Sequence, residues 1–290
     1  MLDVYVGYAL IFIGILGSGI AGYFDLKTTE IPDEISLIMI VLGLAIRGAY
    51  SLISGDWMFL IIPALISIGF FGFGLAMYYL GQWGGGDAKI LAAMGLLLGV
   101  LPGSIVQSSI FPLFFDYFFN VFFVGAAYII VYAFIIAAMN PKIMREFYKS
   151  IKDEITETAI FSVILAASIG IVVYLFWSRV GIFNITLPLG LLSGGIGLFI
   201  LWKFLKTIED VGFRKKIKTK YLRDGDMNGE DIPKLNLKSK IIRGLTKEEV
   251  IKIKKIKKNI WIREGVRFGP VFCIAAIVTL LYGNLIMFIL

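Results

Sequence analysis

The chain has 290 residues, of which 58% are hydrophobic and 24 are phenylalanine, and its formal net charge is +7. With a mean hydropathy of +0.86, this composition excludes an ordinary soluble domain and is typical of a protein that crosses a membrane several times. The sequence contains no histidine and one cysteine, Cys273, which excludes Ser-His and Cys-His catalysis, disulfides and zinc sites built from those residues. Among enzymatic functions, this leaves catalysis by carboxylates.

Apolar stretches long enough to cross a bilayer, about 20 residues each, occur along most of the chain. The first has no basic residue before it and no small-residue cleavage site after it, so we expect a lasting helix rather than a removable signal peptide. We predict an all-α integral membrane protein with about eight transmembrane helices and a small cytoplasmic lobe, α/β or irregular. The predicted spans are 4–24, 35–54, 57–80, 88–106, 113–139, 158–178, 185–205 and 267–289.

The lysines and arginines of the predicted loops are concentrated on one side of the membrane, which the positive-inside rule assigns to the cytoplasm. The amino terminus is then outside, and both Asp25 and Asp87 face inward. Adding or omitting one helix would scatter the basic residues over both sides, but omitting a pair would not, so six spans are the alternative. The loops assigned to the cytoplasm are 25–34, 81–87, 140–157 and 206–266.

Asp25 ends the first predicted helix, and a short acidic loop follows it. Pro32 is expected to start the second helix because it presets φ and lacks an N–H donor. The carboxylates of Glu30, Asp33 and Glu34 form a local excess of negative charge that could attract a basic segment at short range. We name these three as candidate substrate-binding residues, with solvated helix-end charges as the equally open alternative.

Asp87 follows three glycines, Gly84, Gly85 and Gly86, and opens a run of small and apolar residues. Glycines lack side chains, so a substrate backbone could approach the acid here. Two carboxylates at matching membrane depth suit an aspartyl protease, in which one activates water while the other, protonated, donates to the scissile carbonyl. Because Asp87 lies at a helix amino terminus and Asp25 at a carboxyl terminus, the helix dipoles favour Asp87 as the base and Asp25 as the acid.

Other interpretations of these acids stay open on the residues alone. Charged residues at the ends of membrane helices usually lie at the interface without a further role. A transporter or channel would relay protons or ions through intramembrane carboxylates, but it predicts inverted repeats and acids near mid-membrane, and the sequence has neither. Asp116, among phenylalanines near the outer end of its helix, is assigned a packing or lipid-interface role.

Taken together, Asp25, the Ile-Pro-Asp segment 31–33 and the Gly-Gly-Gly-Asp-Ala-Lys segment 84–89 resemble the type IV prepilin peptidase family, the membrane aspartyl proteases of the Gly-x-Gly-Asp class. Bacterial members usually carry a Cys-x-x-Cys zinc domain in the first cytoplasmic loop and often methylate the new amino terminus. This chain lacks those cysteines, so it is more similar to the archaeal preflagellin and prepilin peptidases. The segments 244–249 and 264–270 resemble the tail of that branch.

The resemblance implies an aspartic endopeptidase that needs no cofactor. Its substrates would be archaellin or type IV pilin-like precursors, cut after a glycine that separates a short basic leader from a hydrophobic helix. The smaller archaeal members have six spans, so 158–178 and 185–205 are expected to be an inserted pair. A membrane transporter or channel is kept as the alternative function.

Four regions are predicted from this pattern. A catalytic transmembrane core occupies 1–139, a cytoplasmic loop with the extra helix pair 140–205, a basic cytoplasmic lobe 206–266 and a C-terminal membrane helix 267–290. No recognised nucleic-acid-binding fold accompanies the basic charge of the lobe, so we expect membrane lipids rather than nucleic acid as its partners.

Within the lobe, Thr246 and Glu249 predict a capping box at the start of a helix. Apolar residues from Val250 to Ile260 recur at helical spacing between lysines, which predicts a basic amphipathic helix that lies on an anionic membrane or packs within the lobe. The segment 224–229 matches the first half of a calcium loop, but Leu235 replaces the bidentate glutamate at the twelfth position. We therefore expect a turn and no metal site.

Overall fold

The computed structural model describes residues 2–102, 111–180, 185–237 and 244–288. Helices account for most of these residues, and a small three-stranded sheet lies in the lobe. The predicted fold class, an all-α membrane protein with a small lobe, is confirmed. The helices are α1 Leu2–Thr28, α2 Asp33–Ser54, α3 Met58–Tyr79, α4 Gly85–Leu98, α5 Leu113–Met139, α6 Pro141–Asp153, α7 Ile155–Val180, α8 Thr186–Thr207, α9 Lys247–Ile256 and α10 Pro270–Tyr282, and the strands are β1 Arg214–Lys218, β2 Met227–Asn228 and β3 Asn259–Arg263.

Among the described residues, six helices are long and apolar enough to cross a membrane: α1, α2, α3, α5, α7 and α8. The chain is thus a multi-pass membrane protein. Over the described residues the predicted spans 88–106 and 267–289 are too long, because α4 has 14 residues and α10 has 13; residues 103–106 and 289 lie outside the described residues. At 1.5 Å per residue each helix is only about 20 Å long, shorter than the hydrocarbon core of a bilayer.

The chain divides into two compact units, and the first contains residues 1–129 and 216–290. At its centre lies α4, whose residues from Asp87 to Leu98 are nearly all buried. Helices α1, α2 and α3 pack against it at glycines: Gly14 faces Met94, Gly43 faces Leu96 and Leu97, and Gly74 faces Ala88. The absence of side chains at these positions lets the helices approach closely, as is common in membranes.

A buried arginine in α2, Arg47, donates hydrogen bonds to the free carbonyl groups at the carboxyl-terminal end of α4. The last carbonyls of a helix have no partner within the helix, and a guanidinium with its five donors can bond several of them at once. This explains how α4 ends inside the protein after only 14 residues. The guanidinium donates to the carbonyls of Leu96, Leu97 and Val100, at 2.7–3.1 Å, and to that of Phe59 at the start of α3, at 2.9 Å.

Polar contacts join the amino-terminal part of α5 to the carboxyl end of α10. Asn120 donates to the Thr279 hydroxyl at 2.9 Å and to the Gly283 carbonyl at 2.7 Å. Asp116, one turn before Asn120, is 1% exposed, which agrees with a packing role and not with a lipid-interface position. Gly283 ends α10 with a φ of 68°, a conformation that favours glycine.

Residues 216–266 of the lobe belong to the first unit, and they have their own core. Its sheet has the order β1-β3-β2, and β2 runs antiparallel to β3 with Met227 opposite Arg263. The predicted capping box is present: the Thr246 hydroxyl accepts from the Glu249 N–H, and the Glu249 carboxylate accepts from the Thr246 N–H. Asp224 begins the expected turn.

The prediction that one helix continues to Ile260 is wrong. Helix α9 ends at Ile256, and Ile260 lies in β3, where it and Ile262 are buried while Trp261 between them is exposed. This period of two is that of a strand with one buried face. Val250 and Ile253 of α9 pack with these strand residues in the core of the lobe.

The second unit contains residues 130–215. Helices α7 and α8 coincide with the predicted pair, and α6 forms within the segment that was predicted as a loop. None of the described side chains of α7 is buried, as expected for an apolar helix that faces lipid. In α8, Lys203 is buried, and its ammonium group pairs with the Glu154 carboxylate at 2.7 Å.

Candidate active site

The first candidate acid, Asp25, lies in the last turn of α1 and is buried. Its carboxylate accepts a hydrogen bond of 2.7 Å from the backbone N–H of Gly269, at the start of α10. One turn earlier in α1, a Cβ on Gly22 would lie 2.8 Å from the Cα of Pro270. The carboxyl end of α1 and the amino end of α10 are therefore in direct backbone contact around this acid.

The second candidate acid, Asp87, lies in the first turn of α4 and is also buried. Its Oδ2 atom accepts a 2.8 Å hydrogen bond from the backbone N–H of Gly84, the N-cap residue. An N-cap residue has extended backbone, and Gly84 has a ψ of 159°, so this N–H points towards the third helical residue. The local sequence thus orients the Asp87 carboxylate at the amino end of α4.

The two acids come from different helices but lie close enough for the charge of Asp25 to act on the Asp87 carboxyl group. Two contacts between their flanking segments explain the approach. A Cβ on Gly86 would lie 2.8 Å from the Cβ of Ile31, so the loop after α1 packs on the start of α4. The rings of Trp83 and Phe268, which precede the two N–H donors in sequence, pack together with centroids 5.6 Å apart.

The helix-dipole argument does not distinguish the roles of the two acids in this geometry. Asp25 lies at the carboxyl end of α1, but its carboxylate faces the amino end of α10, and Asp87 lies at the amino end of α4. Both carboxylates therefore accept an N–H from a helix amino terminus, where the dipole favours negative charge. The assignment of Asp87 as base and Asp25 as acid stays a hypothesis without this support.

The three glycines before Asp87 have different surroundings. Gly84 is exposed, Gly85 is half-buried with Tyr78 as its nearest side chain, and Gly86 packs on Ile31. Gly84 and Gly85 are thus the two positions at which an approaching backbone would meet little protein. At position 86 a side chain would collide with Ile31 in the loop after α1, which explains why glycine is required there.

Two of the three candidate substrate-binding acids, Glu30 in the α1–α2 loop and Asp33 at the start of α2, already have partners within the chain. Glu30 accepts from the guanidinium of Arg223 in the lobe, with both carboxylate oxygens within 3.3 Å of Nη1. Asp33 forms an ion pair with Lys89 of α4, and both side chains are partly exposed. Exposed pairs of this kind contribute little to stability and exchange readily with other partners.

A cavity of about 580 Å³ lies beside this loop, between α2, α3 and α4. Asp33, Glu34 and Lys89 line its polar end, and Leu37, Ile40, Ile68 and Phe71 line its apolar part. Of the three acids predicted to bind substrate, Asp33 and Glu34 therefore share a cavity, while Glu30 contacts the lobe. Among the described residues, no group of three or more acidic or cysteine side chains could hold a metal ion.

Two residues of this region were not identified from the sequence. Gly269 donates to Asp25, and the Arg267 guanidinium bonds the Leu26 carbonyl next to that acid. The signal available in the sequence was a Gly-Pro pair at the start of an apolar segment, which marks a helix start. That signal says nothing about the helix end it meets, because the partner lies 244 positions away.

Residues 10–139 match the model of the type IV leader peptidase family. This segment contains both aspartates and the helices α2, α3 and α4. The resemblance identified from the sequence motifs is confirmed over these residues.

Two curated proteins show related sequences. Prepilin peptidase EppA of Methanothermobacter thermautotrophicus is 28% identical over 168 residues, which cover 54% of this chain and 43% of that protein. Preflagellin peptidase of Methanocaldococcus jannaschii is 37% identical over 86 residues, which cover 30% of this chain and 36% of that protein. The chain thus matches less than half the length of either relative. No solved structure matches it significantly.

Proposed function

We propose that this chain, which matches the type IV leader peptidase family over residues 10–139, is a membrane aspartyl endopeptidase. Asp25 and Asp87 are its catalytic pair. The observation that carries the proposal is the position of two buried carboxylates from different helices, close enough for their charges to interact, each with its own N–H donor. Pairs of carboxylates in shared sites of low polarity are suited to divide acid and base roles.

The reaction needs one proton on the pair. The ionised carboxylate removes a proton from a water molecule as the water oxygen attacks the scissile carbonyl carbon, while the protonated carboxyl donates to the carbonyl oxygen. The tetrahedral gem-diol then expels the amide nitrogen, which takes up the proton removed from the water, while one hydroxyl of the gem-diol returns its proton to the other carboxylate as the new carboxyl group forms. The products are a new carboxyl terminus and a new amino terminus, and the pair is again singly protonated.

The substrate class follows from the relatives, which are named as prepilin and preflagellin peptidases. We propose precursors with a short basic leader, then a glycine at the cut, then a hydrophobic helix. The basic loops favour a cytoplasmic position for the site, where such a leader would stay. A leader with several positive charges would be drawn to the loop acids Glu30, Asp33 and Glu34, two of which line the cavity beside α2.

The open glycines supply a place for the scissile peptide. Gly84 is exposed and Gly85 has no neighbour closer than 4.0 Å to a Cβ position. Gly84 is the N-cap residue of α4 and Gly85 is its first residue, in the same turn as Asp87. A substrate backbone that passes these glycines would therefore reach the carboxylate without displacing a side chain.

The test is cleavage of an archaellin-like and a pilin-like precursor by membranes that contain the wild-type chain, Asp25→Asn or Asp87→Asn. Each amide removes one member of the proton pair, and we expect a loss of about 10²- to 10⁴-fold in rate. The Asp116→Asn variant is the matched control, because Asp116 is also a buried acid of the first unit but lies on α5. We expect it to cleave at close to the wild-type rate.

Membrane insertion of each variant is measured alongside cleavage. An amide variant that inserts and keeps full activity would show that the pair is wrong. If the wild-type chain cuts neither precursor while it inserts normally, the proposed activity fails and proton or ion transport becomes the function to test.

A further inference from the structure

From the contacts around Asp25, we infer that the backbone N–H of Gly269 is a positioning group for this carboxylate, so that the start of α10 forms part of the active site. The inference rests on the proposed function, which makes Asp25 a catalytic residue. Its basis is the 2.7 Å hydrogen bond from the Gly269 N–H to Asp25 Oδ2, in a buried setting.

The close fit at this position excludes any side chain larger than a hydrogen atom. A Cβ on Gly269 would lie 2.8 Å from the Cβ of Asp25 and 3.0 Å from its Oδ2. The backbone of Gly269, with φ of −47° and ψ of −41°, is helical and open to every amino acid. The requirement for glycine therefore comes from the neighbouring carboxylate and not from the backbone conformation.

Several contacts hold the segment before α10 in place against the site. The Arg267 guanidinium bonds the Leu26 carbonyl, and the Arg267 carbonyl accepts from the Tyr128 hydroxyl at 2.8 Å. The Phe268 ring packs on Trp83, next to the Gly84 N–H that holds Asp87. One short segment thus fixes the donor to Asp25 and contacts the loop that carries the donor to Asp87.

This arrangement has a chemical consequence. The carboxylate of Asp25 has rotational freedom about its side-chain torsions, and a single well-placed N–H restricts it to one orientation. Displacement of the donor leaves the acid present but misoriented relative to water and peptide. The expected signature is a lower kcat with an unchanged KM, because substrate contacts elsewhere are retained.

The sharpest test deletes the N–H and adds no atom. Replacing Gly269 by glycolic acid, through nonsense suppression in membrane-coupled translation of the full chain, turns this amide into an ester. The matched control is the same change at Gly265, in the same segment, where no described residue lies within 4 Å of a Cβ position. We expect kcat on the precursor to fall about 10- to 100-fold for the ester at 269 and to stay within about twofold for the ester at 265.

Gly269→Ala and Gly265→Ala extend the test to larger amounts of protein. We expect the alanine at 269, which collides with the carboxylate, to lower kcat and leave KM unchanged, and the alanine at 265 to have neither effect. Infrared spectra of the 269 and 265 variants report the carboxylate directly, since the band that disappears in Asp25→Asn belongs to this group. That band moves in the 269 variants if the contact exists.

The outcomes separate the inference from the proposed function. A 269 ester with wild-type kcat, or an Asp25 band that does not move in it, overturns the positioning role. Wild-type membranes that cut no precursor, with a band that does move, refute the peptidase activity while the contact stands. A fall in kcat at both 265 and 269 also overturns the inference, because the effect is then not specific to the donor.

Discussion

Asp87 accepts its hydrogen bond from Gly84, three residues before it, whereas Asp25 accepts from Gly269, 244 positions later in the chain. The first contact is part of a helix start that its own sequence specifies, with an extended N-cap residue and an acid at the third helical position. The second exists only when α10 is docked on α1. The two candidate catalytic groups are thus held by local and by tertiary structure, respectively.

This difference means that the two acids should respond to different changes in the molecule. Alterations in the packing of α4 should affect Asp87 through the position of its helix. Removal of the Gly269 N–H should affect Asp25 and leave the Asp87 hydrogen bond in place, as the Gly269 variants are designed to show. Three further experiments test how far this division holds.

The largest expected effect concerns Arg47, which holds the far end of α4. Arg47→Met introduces an apolar side chain of roughly similar length and leaves four carbonyls, three of them buried, without their donor. We expect the free energy of unfolding in detergent to fall by about 3–5 kcal/mol. Arg145→Met, an exposed arginine in α6, is the control and should change stability by less than about 0.5 kcal/mol.

Arg47→Lys sharpens the same measurement. A lysine keeps the positive charge but cannot bond several carbonyls in a fixed plane, so we expect a loss between those of the wild type and the methionine variant. If lysine restores full stability, charge near the end of α4 matters and the hydrogen-bond geometry does not.

An intermediate effect is expected at the contact between α3 and α4. A Cβ on Gly74 would lie 2.6 Å from the Cα of Ala88, next to Asp87, whereas Gly72 in the same helix has open space around it. Gly74→Ala should cost about 1–3 kcal/mol of stability through overpacking and lower precursor cleavage by moving the start of α4. Gly72→Ala should leave both unchanged, and equal losses in the two variants would attribute the effect to the removal of glycine itself.

The smallest effect is expected at the exposed pair between Glu30 and Arg223, beyond the carboxyl end of α1. Arg223→Gln should free Glu30 for a basic leader and lower KM about two- to fivefold, and Glu30→Gln should raise KM by a similar factor. Both effects should disappear at high salt, which screens exposed charges. Changes of KM in the same direction for both variants would show that the pair acts on folding of the lobe and not on the substrate.

The sequence by itself predicted the membrane character of the chain, the positions of Asp25 and Asp87 at helix ends, the helix pair at 158–178 and 185–205 and the capping box at Thr246. These features depend on hydrophobic length, on local helix-start chemistry and on motifs within a few residues, all of which can be recognised in a linear pattern. The hydrogen bond from the Gly84 N–H to Asp87 is equally local, since the two residues lie within one helical turn, although we did not predict it.

Only the tertiary structure shows which groups, distant in sequence, limit these elements and form hydrogen bonds with their buried polar groups. The true lengths of α4 and α10, the strand around Ile260, the role of Arg47 and the Gly269 donor to Asp25 all depend on segments far apart in sequence. Apolar composition specifies that a segment is buried, but it does not specify where a buried polar group finds its partner. Since buried donors and acceptors must be satisfied wherever the fold brings them, the folded chain selects these partners.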